Sequence, residues 1–145
     1  MLLKRLGDSE QNDIIKIRKP VAISRESLLL AHDAKYVDGF LEERLSEKEM
    51  RRIGLTPWTS KMIERTLCLT GGALEATIHA IESKGITGNM AGGTHHAHRS
   101  FGSGYCVFND LAICALYAIE KLGIERVAIL DLDCLLYTSD AADDL

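Results

Sequence analysis

The chain predicts an α/β domain built on a parallel sheet, and three observations carry that expectation. The apolar run Arg126-Val-Ala-Ile-Leu-Asp-Leu-Asp133 ends in acids, the pattern of a buried parallel strand with polar groups at its C-terminal tip. A helical pattern opening at Asn109 precedes it. Before that, residues 86–91 are short enough for a strand and deliver the chain to Gly92-Gly93. Strand, loop, helix and strand make a βαβ unit, and in open α/β sheets sites form at the carboxyl ends of the strands.

The elements follow in order. Residues 2–6 read as a frayed helix, followed by a loop to Pro20. Ser24 is an N-cap with acidic Glu26 in the first turn, opening a short helix over 28–32. A second helix runs to Leu45. Ser46-Glu-Lys-Glu49 is a capping box that starts a third, and Gly54 closes it. Pro57 and Trp58 mark a turn. From Ser60 a long helix buries Ile63, Leu67, Thr70, Leu74, Ile78 and Ile81 on one face. Gly71-Gly72 interrupts it at a cost of about 2 kcal/mol against alanine, for which close packing against a neighbour is a sufficient reason. Gly85 ends it. Asn109 caps the next helix, with Asp110 at its positive end, and Gly123 ends that one.

Composition narrows the function. With 145 residues, 46% of them hydrophobic, the chain can bury one core. A net charge of −4 with scattered Lys and Arg gives no nucleic-acid footprint. No apolar run approaches a membrane span. Cys68, Cys106, Cys114 and Cys134 show no paired metal spacing and read as reduced thiols of a cytoplasmic protein.

Chemistry concentrates in Gly92-Gly-Thr-His-His-Ala97 and the glycine-rich run after it. Adjacent histidines diverge on a strand or helix, but on a loop His95 and His96 can share one pocket and act as base and acid. Asp131 and Asp133, two apart on a strand, project to one face and need a cation or donors to offset their repulsion. A metal there would activate water and polarise a carbonyl, the histidines would handle protons, and Tyr105 would supply an aromatic wall. The other readings are a surface loop and a strand end whose acids meet water.

Gly92-Gly-Thr-His-His-Ala97, Gly104-Tyr-Cys-Val-Phe-Asn-Asp110 and Val127-Ala-Ile-Leu-Asp-Leu-Asp133 together resemble the zinc-dependent histone deacetylase family, closest to its bacterial class IV-like branch. Leu30-Ala-His-Asp-Ala-Lys-Tyr-Val37 and Glu49-Met-Arg-Arg-Ile-Gly54 resemble that branch too. The resemblance implies a three-layer α/β/α arginase/deacetylase fold with a parallel sheet, only its N-terminal part present, as a partial domain over 1–133. It implies hydrolysis of the acetyl-lysine amide by zinc-activated water, with His95 and His96 as the catalytic pair. Gly104, Tyr105 and Cys106 match the acyl-lysine tunnel and the region below it. Asp133 matches a zinc ligand. Asp131 matches an acid that supports a histidine and borders a structural potassium ion. The implied partner is an acyl-lysine protein or an acetylated small amine, with no direct nucleic acid and no membrane. His98 has no catalytic counterpart, and His32 and His79 read as structural.

The chain departs from the family after Asp133. The family places a histidine zinc ligand two residues on, where this chain has Leu135. Residues 134–145 match one reading frame of a transposon-type sequencing adapter, so they read as a non-native tail. The polypeptide as written is then expected to lack deacylase activity, since one carboxylate cannot hold catalytic zinc. It is also expected to fold poorly alone, because 126–133 would present an apolar edge. Two rivals stand beside this reading. One is a non-catalytic α/β binding module whose Gly92-Gly93 loop cradles an anion. The other is a catalytically dead relative kept as an interaction surface.

Overall fold

Five helices form the structure, a computed structural model that describes residues 15–132. They are α1 (Arg25–Leu28), α2 (Ala34–Leu41), α3 (Glu47–Ile53), α4 (Ser60–Ser83) and α5 (Asp110–Leu122). The predicted frayed helix over 2–6, Asp133 and the 134–145 tail lie outside the described residues.

Local chemistry explains most boundaries. The Ser24 hydroxyl accepts from Ser27 N–H, so α1 starts earlier than the apolar run suggests and residues 29–32 are a turn. Helix α2 stops at Leu41, short of the expected Leu45, with Glu43 in the left-handed region at φ 56°. Both arms of the Ser46/Glu49 capping box are made, and Gly54 closes α3 at φ 80°. Asn109 caps α5 by accepting from Ala112 N–H, and Gly123 ends it at φ 69°. Helix α4 ends at Lys84, which takes the left-handed position expected of Gly85.

Helix α4 also runs unbroken through Gly71-Gly72, where the sequence suggested an interruption. The glycines are there for close approach. A Cβ on Gly71 would overlap the Val21 carbonyl oxygen, and one on Gly72 would lie 3.1 Å from Pro20. Residues 20–23 therefore cross α4 on its glycines, and Ile23 N–H donates to the Leu67 carbonyl at 3.0 Å.

The core is a cluster of rings joining the helices to the segment before α5. Phe108 packs edge-on against Phe40 at 5.0 Å, His32 at 5.2 Å and Tyr36 at 5.8 Å between centroids. Trp58 meets Phe40 at 5.9 Å. Tyr36 donates its hydroxyl to the Val107 carbonyl at 2.8 Å, and burial pushes its phenol pKa up. Of the face expected on α4, Thr70 and Leu74 are buried, while Ile63, Leu67 and Ile78 are partly buried against the core.

The expected strands are a correction. Among the described residues, 86–91 and 126–132 form no ladder; the one bridge is Ser103 with Cys106. A helix satisfies its own backbone, whereas a strand needs a neighbour to take its N–H and C=O groups. No described segment pairs with either. Their apolar side chains are open accordingly: Ile86, Ile129, Leu130 and Leu132 are all exposed. A groove of about 540 Å³ lies between residues 126–129 and helices α4 and α5, lined by Ala73, Thr77, Ala80, Cys114 and Ala118.

Candidate active site

The His95-His96 loop is held from beneath by the start of α5. Asp110, 1% exposed, accepts from Gly93 N–H at 2.9 Å, Thr94 N–H at 2.8 Å and the Thr94 hydroxyl at 2.9 Å. A buried carboxylate needs such donors, and the irregular loop has amides to spare. These bonds bear on the anion-cradle rival: the Gly93 and Thr94 amides already hold an anion supplied by the chain itself. The Asn109 amide works in two directions. Its oxygen caps α5, and its nitrogen donates to the carbonyls of His95 and Ala97, each at 3.1 Å.

Held so, the two imidazoles turn toward each other. Their centroids are 4.0 Å apart, and Nε2 of one lies 2.9 Å from Nε2 of the other. Asp131 Oδ2 lies 3.5 Å from His95 Nδ1. A carboxylate on that side favours the proton on His95 Nδ1, leaving its Nε2 as acceptor and His96 Nε2–H as donor. The pair thus offers one proton acceptor and one proton donor at neighbouring atoms.

Gly104 and Tyr105 form the two central positions of a tight turn closed by Ser103 and Cys106, whose backbones exchange hydrogen bonds at 3.0 and 2.8 Å. Both central residues are left-handed, Gly104 at φ 52° and Tyr105 at φ 65°. Such a turn demands that conformation twice, and it costs a tyrosine roughly 1–3 kcal/mol. Tyr105 is kept there by donating its N–H to the Ile53 carbonyl at 2.7 Å, and its ring covers Gly54. The well-capped end of α3 therefore aims it. Gly104 is needed for a second reason, since a Cβ would come within 3.0 Å of the His96 ring. Tyr105 is 72% exposed, so it borders an open face. Cys106 is buried, with its thiol donating to the Gly104 carbonyl at 3.4 Å and burial pushing its pKa up.

The structure therefore brings together His95, His96, Asp131 and Gly104, with Tyr105 beside them, while Asp133 lies outside the described residues. His98 is on the surface, stacked on Phe101 at 4.4 Å. His79 is half-exposed, with Glu82 at 3.9 Å. Sequence reasoning treated Asn109 and Asp110 only as a helix start and missed their grip on the loop. The available signal was the placement of an acid, without a base near it in sequence, after a glycine loop rich in free amides. Among the described residues no group of three or more His, Cys, Asp or Glu could hold a metal ion. Catalytic zinc takes three protein ligands, so the described residues do not by themselves fit it.

Comparison with known proteins gives a consistent picture. The histone deacetylase domain family matches residues 1–134. An uncharacterized protein of Picosynechococcus is 41% identical over 119 residues, covering 81% of this chain and 39% of that protein. The acetoin utilization protein AcuC of Bacillus subtilis is 31% identical over 140 residues, covering 91% of this chain and 35% of AcuC. The chain thus spans little more than a third of these relatives' length. Among solved structures, an HDAC homolog complexed with SAHA superposes at TM-score 0.66 with 25% identity, over 86% of this chain and 36% of that one. An HDAC homolog from Aquifex aeolicus shares the fold at TM-score 0.64 with 24% identity over the same shares.

Proposed function

The chain belongs to the histone deacetylase domain family, and on that premise we propose that it supplies the proton-transfer part of a zinc-dependent deacylase site that cleaves the acetyl-lysine amide. The observation that carries the proposal is the His95–His96 contact through Nε2, with Asp131 behind His95. His95 Nε2 takes a proton from the attacking water, and Asp131 steadies the imidazolium that results. His96 Nε2–H delivers a proton to the leaving amine and regains one from the His95 imidazolium 2.9 Å away, so both rings end neutral. Gly104 lets the Tyr105 turn close against the His96 ring, where a Cβ would crowd it, and the exposed Tyr105 ring forms one wall for the acyl chain. Cys106 lies buried below as a neutral thiol.

The metal belongs to the same proposal. Asp133 is the proposed zinc ligand and Asp131 the proposed neighbour of a structural potassium ion. The described residues supply no three-ligand set for zinc. The proposed substrates are an acyl-lysine protein or an acetylated small amine. The cytoplasmic assignment rests on Cys68, Cys106 and Cys114 being free thiols. No helix among the described residues is long and apolar enough to cross a membrane. The domain boundary at 133, with an adapter-derived tail after it, is likewise proposed.

The test places residues 15–132 in the frame of an active family enzyme, in exchange for its matching segment. Acetyl-lysine peptide hydrolysis is measured with zinc. The chimera is expected to turn over, and H95A and H96A are each expected to lower kcat by at least 100-fold. A chimera whose turnover survives H95A would contradict the proposal.

A further inference from the structure

We infer that His32 is a positioning residue for the His95–His96 pair, acting through Asn109 and the His98 carbonyl. This inference rests on the proposed role of that pair. His32 stands in the turn between α1 and α2 and is 2% exposed. Both of its ring nitrogens are bonded, and both bonds end on the loop or its anchor. Nδ1–H donates to the His98 carbonyl at 2.9 Å. Nε2 accepts from Asn109 N–H at 2.9 Å.

These partners bracket the catalytic loop. Asn109, located by His32 through its backbone, in turn holds the carbonyls of His95 and Ala97 through its side chain. His98, located by His32 through its carbonyl, begins just past Ala97. The segment from His95 to Ala97 is thus fixed at both ends by one imidazole, directly or at one remove. The His98 backbone also accepts no freedom from the other side, since its N–H donates to the Phe101 carbonyl at 2.9 Å.

Packing alone does not call for a histidine here. The ring sits among Tyr36 at 5.9 Å and Phe108 at 5.2 Å, where phenylalanine would fill the space. What phenylalanine lacks is a donor on one edge and an acceptor on the other. The acceptor also requires a neutral ring, because a protonated Nε2 would face Asn109 N–H with a second donor. Burial lowers the His32 pKa and keeps it neutral. Glutamine restores part of this pattern: its Oε1 occupies roughly the place of Nε2 and accepts from Asn109 N–H.

The experiment is long-range ¹H–¹⁵N NMR of the imidazoles in the full chain, comparing wild type, H32F and H32Q. In wild type, His95 and His96 are expected to show distinct ¹⁵N patterns, one Nε2 as acceptor and the other as donor. In H32F that separation is lost, while the Trp58 indole and the α4 amides keep their wild-type shifts. In H32Q at least half of the separation returns. An H32F spectrum with unchanged His95 and His96 signals overturns the inference. So does an H32Q protein with intact α4 signals that matches H32F. Where H32F loses its α4 signals, H32Q decides alone: separation kept supports the inference, and separation lost with α4 intact overturns it. No substrate enters these readouts. An inactive chimera with a normal His95–His96 signature would count against the deacylase reading and leave the positioning role standing.

Discussion

Phe108 and Leu130 are both large apolar residues close to the candidate site, yet Phe108 is 1% exposed and Leu130 is 83% exposed. The regions around them differ in the same way. Around Phe108, helices and a loop close on a ring cluster, and the side chains of Asn109 and Asp110 at the start of α5 grip the loop. Around Leu130, an extended segment lies over a groove with its apolar groups open. The contrast follows from backbone chemistry. A helix brings its own hydrogen bonds and has only to bury one face, while a strand is stable only beside another strand. The histidine pair belongs to the first region and Asp131 to the second. One half of the candidate site is therefore held by a packed layer, and the other half lies on an extended segment that forms no ladder with the other described residues.

Removing the centre of the packed region should have the largest effect. F108A is expected to cost about 3–5 kcal/mol in a urea titration of the helical layer. A loss below about 1 kcal/mol would mean the ring cluster is not the core. That such a titration should show a cooperative transition goes beyond the reading from sequence, which expected poor folding. The ring cluster is the reason for the change.

Next comes the grip on the loop. D110N replaces a carboxylate with an amide that must turn a donor toward Gly93 and Thr94. About 1.5–3 kcal/mol should be lost, with the loss of the ordered Gly93 and Thr94 amide signals. Retention of both signals at wild-type positions would contradict the assignment of Asp110 as the anchor.

A smaller effect should appear with pH. His32 is held neutral, its folded pKa below the ordinary 6.5. Between those two values the unfolded chain binds a proton that the folded chain does not. Stability therefore rises with pH through that window and is fully present above about 6.5. H32Q should flatten this slope in urea titrations run from pH 5 to pH 8, and an unchanged slope would assign it to another group.

The smallest change is expected in the open region. L130S should alter stability by less than about 0.5 kcal/mol, because the side chain touches little. It should also reduce concentration-dependent association, as an exposed apolar edge invites pairing. A large destabilisation would show that Leu130 is packed after all.

The same contrast explains what could be read from the sequence. The caps at Ser46, Asn109, Gly54 and Gly123 were legible because each depends on residues within one turn. The close approach at Gly71 was legible as a cost that needed a reason. The motifs carrying His95, His96 and Asp131 were legible as a resemblance to a family that matches most of the chain. What could not be read was non-local. His32 meets Asn109 across 77 residues, and Asp110 reaches back 17 to Gly93. Whether 126–132 forms a strand depends on a neighbour that its own pattern does not specify. Apolar periodicity states which face would be buried, and only a partner buries it.

Amide hydrogen exchange on the full chain measures both regions at once. The account predicts strong protection at Gly93, Thr94 and Asn109, and at Ile113 in α5, with near-unprotected exchange at Val127 through Leu130. Protection at 127–130 equal to that at Gly93 and Thr94, or free exchange at both, would contradict it.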